Sequence, residues 1–158
     1  MMDIAQIIKE LKSRKLKLAT AESCTGGRIS AAFTAVSGAS DVFQGGIVAY
    51  QPCIKTEFLK VPQEIIERFD VVSEPVVSQM VIGACNCMSA DIALASTGYA
   101  GPSSGNPDIP VGTIWIGCGS KDIVITKCLK LNEDRVHNVE KAVDEILILL
   151  VDFINKFV

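Results

Sequence analysis

One histidine, one tryptophan and two tyrosines occur in 158 residues, and no Cys-x-x-Cys pair is present. With His137 as the single imidazole and no Cys-x-x-Cys pair, the sequence offers poor spacing for a shared metal site. Positive charge is also scarce. Fifteen Lys and Arg stand against eighteen Asp and Glu, for a net charge of -3 and a pI near 5.2. No global basic footprint is left for nucleic acid. Lys12, Arg14, Lys15 and Lys17 cluster, but cations favour a helix C-terminus. Long apolar runs are missing. The longest near the C-terminus, Ile146 to Val151, is ended by Asp152, whereas a membrane span needs about 20 residues. Met1 to Ile4 has neither the charged nor the apolar region of a secretion signal. The six cysteines are therefore expected to be reduced, mostly buried thiols in a cytoplasm. Cys85 and Cys87 are two apart on an expected helix, so they point away from each other.

Apolar residues make up 49 % of the chain and the mean hydropathy is +0.36. Without a span, that surplus belongs in a large core or a subunit contact. The length suits one domain over residues 1–158. Helical spacing of Ile4, Ile7, Ile8 and Leu11 predicts a first helix over 3–14. A strand is expected over Leu16 to Thr20, a polar turn from Glu22 to Gly27, a helix over 27–36 and a strand from Gly45 to Tyr50. Pro52 and Pro62 open two short helices. Ser73, with Glu74 and Pro75, starts a helix to about Met88. A buried strand follows from Asp91 to Ala95, then a long loop from Gly98 to Pro110. Two strands, Val111 to Cys118 and Ile123 to Leu131, pair around Gly119 to Asp122, and a last helix runs from about Asp134 to Phe157. This alternation predicts an α/β sandwich with a mixed sheet. The last helix places Ile146, Leu147, Leu149, Leu150, Phe153 and Ile154 over more than one narrow stripe, which points to a subunit contact.

Four segments can carry chemistry. The turn Glu22-Ser23-Cys24-Thr25-Gly26-Gly27 leaves a strand and opens a helix. Its backbone N–H groups could hold a phosphate or an oxyanion, with Ser23 as an exposed nucleophile. Ser23 or Thr25 could equally be a plain helix cap. A nucleotide P-loop is a poorer reading, since Gly-x-x-x-x-Gly-Lys-[Ser/Thr] is absent and no lysine stands beside the turn. A serine needs a base, and Lys55 could serve if burial lowers its pKa; a solvated lysine is the ordinary alternative. Tyr50 lies at the same expected strand end. The loop Ser96 to Gly105 offers hydroxyls and glycines that let a ligand approach the backbone. Before the last helix, Asp134 or Asn132 could cap, and Arg135 could clamp a phosphate or pair with Asp134 or Glu133.

Taken in order, these segments resemble the CinA C-terminal domain family. The carrying residues are Ala21-Glu22-Ser23-Cys24-Thr25-Gly26-Gly27, Gly45-Gly46-Ile47-Val48-Ala49-Tyr50 with Lys55, and Val72-Ser73-Glu74-Pro75-Val76. They continue with Gly83-Ala84, Ala90 to Ala93, Thr97-Gly98, Ala100-Gly101-Pro102, Pro110 to Thr113, and Asp134-Arg135 with Asn138. The resemblance spans residues 4–157. It implies a single-domain α/β/α sandwich with a mixed, mostly parallel sheet. Active members include nicotinamide mononucleotide amidohydrolases of the PncC type. The resemblance therefore implies hydrolysis of that nucleotide to nicotinic acid mononucleotide and ammonia, with no metal or organic cofactor. Carried over by motif, Ser23 is the nucleophile, Lys55 the base and Tyr50 its helper. Thr97, Gly98, Gly101 and Arg135 line the nucleotide or phosphate site, and Thr25, Gly26 and Gly27 supply oxyanion donors. A small-molecule nucleotide substrate and a homo-oligomer are further implications, as is a stand-alone enzyme, since larger members carry an extra N-terminal domain. A silent nucleotide-binding module, or an amidase for another small amide, fits the same residues. The chain departs from the family pattern at Glu133, where glycine is usual, and at Val139, where arginine is frequent. It also departs at Tyr99, in place of a smaller aliphatic residue, and at Gln51-Pro52-Cys53-Ile54, in place of a polar run.

Overall fold

A computed structural model describes residues 3–158; Met1 and Met2, part of the start read above, lie outside it. Helix α1 (Ile4–Ser13) leads to strand β1 (Leu18–Glu22), helix α2 (Arg28–Thr34), a short 3-10 turn and strand β2 (Phe43–Val48). Three helices follow, α3 (Pro52–Leu59), α4 (Gln63–Phe69) and α5 (Glu74–Met88). Strands β3 (Ile92–Gly98), β4 (Thr113–Gly119) and β5 (Val124–Lys130) then precede the long helix α6 (Arg135–Phe157).

The five strands form one sheet in the order β2-β1-β3-β4-β5. β1 pairs in parallel with both β2 and β3, while β4 is antiparallel to β3 and to β5. Two ladders are thus parallel and two antiparallel, and β4 alone runs against the other four strands. One face of the sheet is covered by α1, α2 and α6, through Ile7, Leu11, Phe33, Ile146 and Phe153 among others. The other is covered by α5 with α3 and α4, through Leu59, Val77, Met80 and Val81. This is the expected α/β/α sandwich.

The chain moves from β1 to β2 across one face, then returns past β1 to β3 across the other. The two crossovers diverge at the carboxyl end of β1. In open α/β sheets that divergence leaves a crevice, the usual ligand site. Ser23 follows β1 directly, Ala49 and Tyr50 follow β2, and Thr97 and Gly98 end β3.

Local chemistry explains most boundaries. Ser73 Oγ accepts the Val76 N–H, and Pro75 fills a position where a missing N–H costs nothing, so α5 starts as expected. Asp134 Oδ1 accepts from Val136 and His137 and caps α6. Gly98 lets β3 and β4 close up, since a Cβ there would sit 2.6 Å from Ile114 Cγ1.

The wide apolar face of α6 is used inside the chain. Ile146, Leu147, Leu149, Leu150, Phe153 and Ile154 are all buried against the sheet and its neighbours. The breadth of that face, read above as a subunit contact, is therefore accounted for without a second copy. The thiols divide more evenly than expected: Cys24, Cys85 and Cys118 are buried, Cys128 is half-buried, and Cys53 and Cys87 are exposed. No helix among the described residues is long and apolar enough to cross a membrane, and no cluster of metal-ligating side chains occurs among them.

Candidate active site

Glu22 ends β1 fully buried. Its carboxylate accepts five hydrogen bonds, from the Thr25 and Ser30 hydroxyls and from the N–H groups of Gly27, Ile29 and Ser30. These are orphan donors at the start of α2, and a negative charge there is also favoured by the helix dipole. Gly27, the residue before α2, has φ 94°, which glycine adopts without strain. The cap is thus Glu22, not Ser23 or Thr25. Thr25 is buried below the turn, where its hydroxyl bridges Glu22 and Ser96 at 2.7 Å each. Ser23 is left free for other work.

Its partner is Lys55. The residue lies one turn into α3, which Pro52 opens, and it is 1 % exposed. Its Nζ lies 2.8 Å from Ser23 Oγ, 2.6 Å from Ala49 O and 3.5 Å from Tyr50 O. Three acceptors match the three N–H bonds of an ammonium. With one proton removed, the two carbonyls still hold the amine and its lone pair faces Ser23. Burial pulls the Lys55 pKa down from 10.5 to about 8, against the opposing pull of Cys24 and Cys53. The side chain is therefore poised to take a proton near neutral pH. Burial pushes the adjacent Cys24 thiol up to about 11, despite its contact with Ser96. Cys24 is thus held protonated, unlike an activated thiolate nucleophile.

Ser23 and Lys55 line a cavity of about 240 Å³ together with Tyr50, Thr97, Gly98, Tyr99 and Arg135. Seven of the sequence-predicted and neighbouring residues thus converge. Thr97 Oγ1 is committed to Val71 O at 2.8 Å, which holds the α4–α5 connection against β3. Arg135 leaves the N-terminus of α6 and donates to Gly101 O at 2.7 Å and to the Tyr50 hydroxyl at 2.9 Å. Glu133 and Asp134 do not pair with it among the described residues. Gly101 contributes this carbonyl but does not line the cavity, and neither do Thr25, Gly26 and Gly27.

Two expectations change. Tyr50 is 54 % exposed and its phenol bonds Arg135, not Lys55; only its carbonyl faces the amine, so no proton relay runs through its ring. The turn also offers fewer oxyanion donors than expected. Gly26 N–H donates to Ser23 O at 3.1 Å and Gly27 N–H to Glu22 at 3.0 Å, which leaves Thr25 N–H. The departures from the family pattern take specific places. Pro52 opens α3 and lines the cavity without displacing Lys55. Val139 packs in the core. His137 is exposed and bound to Asp134 at 2.6 Å, away from Ser23.

Three residues take structural roles that the sequence does not assign to them. Glu22 sits six residues before the first residue of the helix it caps, outside the spacing of a capping box. Asn138 is 1 % exposed; it donates to Ala100 O and Glu133 O and accepts from Glu133 N–H, tying the Gly-rich loop to the start of α6. Asp70 anchors the same loop from the other side. A polar residue on the inward face of a helix, as at Asn138, was the one available signal.

A family model for the CinA C-terminal domain matches residues 3–154. The chain is 42 % identical over 130 residues to a CinA-like protein of Colwellia psychrerythraea, covering 82 % of this chain and 30 % of that protein. It is 49 % identical over 110 residues to a CinA-like protein of Akkermansia muciniphila, covering 70 % of this chain and 27 % of the relative. The chain thus spans less than a third of either relative. Among solved structures, the competence damage-inducible protein A of Klebsiella pneumoniae superposes with a TM-score of 0.94 at 33 % identity, over 98 % of this chain and 96 % of that one. A CinA superfamily protein of Escherichia coli superposes with a TM-score of 0.92 at 32 % identity, over 95 % and 87 %.

Proposed function

The chain belongs to the CinA C-terminal domain family, and on that premise we propose that it hydrolyses the carboxamide of nicotinamide mononucleotide to nicotinic acid mononucleotide and ammonia. The observation that carries this reading is the buried Lys55 Nζ, 2.8 Å from Ser23 Oγ in a cavity at the carboxyl ends of β1–β3.

Neutral Lys55 removes the Ser23 proton as Oγ attacks the carboxamide carbon. The resulting lysinium protonates the departing nitrogen, so ammonia leaves and an ester to Ser23 remains. Lys55, neutral again, takes a proton from water, whose oxygen attacks the ester carbon. The carboxylate product departs and the proton returns to Ser23. The guanidinium of Arg135 has five N–H donors, of which Gly101 O and Tyr50 Oη engage two; the rest can bind the substrate phosphate. None of these steps calls on a metal or an organic cofactor. A homo-oligomer, implied by the family resemblance, completes the proposal.

The test is ammonia release by the purified protein across a carboxamide panel headed by nicotinamide mononucleotide. Release from the nucleotide above all other amides supports the assignment. Release from a different amide reassigns the substrate. A ligand-induced rise in Tm without ammonia would make the protein a binding module.

A further inference from the structure

Tyr99 lines the same cavity as Ser23, and its surroundings are unusually committed. The phenol donates to Asp70 Oδ1 at 3.1 Å. Asp70 also accepts from Val72 N–H at 2.8 Å and from Asn106 Nδ2 at 2.9 Å. Gly105 lies against the hydroxyl end of the ring, close enough that a Cβ there would be 3.1 Å from Tyr99 Cε1 and 3.2 Å from its Oη. Asp70 itself adopts φ 73° and ψ 157°, a region that side chains rarely enter and that persists only where surrounding bonds enforce it. Burial first, and then Asp70, push the Tyr99 pKa up to about 12, so the phenol stays a proton donor to the carboxylate. No cation pairs with Asp70 among the described residues. Tyr99 thus borders the cavity with a carboxylate behind its phenol that has hydrogen-bond donors and no cationic partner among the described residues.

Such a border suits a positively charged ring. An aromatic face attracts a cation through its quadrupole, and a carboxylate behind the phenol strengthens the negative potential. Arg135 in the same cavity, with no carboxylate partner among the described residues, suits an anion. We propose that Tyr99, held by Asp70, is a specificity-determining residue that selects N-substituted, cationic pyridinium carboxamides over neutral aromatic carboxamides. This rests on the amidohydrolase reading above and assigns the ring-binding part of that site.

The experiment measures binding rather than turnover. Nicotinamide mononucleotide and its neutral isostere, the 3-carbamoylphenyl ribose monophosphate in which carbon replaces the ring nitrogen, are titrated calorimetrically into the Ser23→Ala protein. The same titrations are run with Tyr99→Leu and Tyr99→Phe added, each checked for an unchanged thermal melt. The cationic ligand is expected to bind about tenfold tighter than the isostere. That ratio should fall to near one with Tyr99→Leu and be partly kept with Tyr99→Phe, which retains the ring and loses the Asp70 bond. A ratio near one in the Ser23→Ala protein, an unchanged ratio in Tyr99→Leu, or no binding of either ligand overturns the proposal. Turnover by the Ser23-containing protein is read separately. Cation preference without ammonia release would sink the amidohydrolase reading alone, and release with no preference would sink only the role of Tyr99.

Discussion

If the proposed hydrolysis runs through Ser23 and Lys55, raising the pH from 6 to 9 should switch ammonia release on through a single proton on Lys55. The amine is 1 % exposed and its pKa is pulled to about 8 by burial. At pH 7 about one molecule in ten then carries the neutral amine that can accept the Ser23 proton, and at pH 9 about nine in ten. The ratio kcat/KM for ammonia release should rise about tenfold between those two values. Below pH 7 it should fall about tenfold per unit, with further curvature near 6 where the substrate phosphate titrates. Cys24, pushed up to about 11, adds no inflection in this range. The assay couples released ammonia to reductive amination and follows nicotinamide cofactor absorbance. Lys55→Arg keeps the charge but cannot lose a proton, and should cost roughly 10³-fold in kcat/KM. Equal rates at pH 6 and 9, an inflection near 10.5, or a Lys55→Arg variant within tenfold of the parent protein would refute the role given to this lysine.

Glu22→Gln should lower stability by about 3 kcal/mol and Tm by about 10 °C in a thermal melt, because an amide turns donors toward the N–H groups that the buried carboxylate satisfies. Asn138→Ala should cost about 2 kcal/mol in urea unfolding, since Ala100 O and the Glu133 backbone lose their partner. It should also raise KM, because Arg135 is fixed through the neighbouring Gly101. The folded pKa of Lys55 lies below its unfolded value, so the folded state binds fewer protons between pH 8 and 10.5. The stability of the parent protein relative to Lys55→Met should therefore rise with pH through that window, by about 3 kcal/mol in all; a falling or flat difference in unfolding free energy would reverse the sign.

The helices were the most legible part of the sequence. Pro52, Ser73 with Pro75, and Asp134 each supplied a start signal that the structure uses. The strands were harder to bound. β1 was expected over Leu16 to Thr20 and runs over Leu18–Glu22, and β3 was expected to stop at Ala95 but continues to Gly98. Apolar runs mark only part of each strand, since Glu22, Ser96 and Thr97 are buried polar residues that continue the ladders. Thr25 bridges Glu22 and Ser96 across the turn after β1, and Thr97 bonds Val71 O, contacts that no local pattern displays. The site sits where those polar strand ends meet. Ser23 and Lys55, 32 residues apart, could be joined in advance only by family resemblance, because spacing carries no trace of a contact made through the sheet. Arg135 reads in the sequence as a phosphate clamp or a partner of neighbouring acids; its bonds to Gly101 and Tyr50 depend on the first residue of α6 reaching both the Gly-rich loop and the segment after β2.

The most direct measurement compares ammonia release from nicotinamide mononucleotide at pH 9 by the parent protein and by Ser23→Ala, both with unchanged melts. The parent protein should turn over steadily, and Ser23→Ala should lose at least about 10³-fold in kcat, as removal of a covalent nucleophile demands. No release by the parent protein, or a Ser23→Ala variant that keeps its rate, would contradict a serine–lysine amidohydrolase.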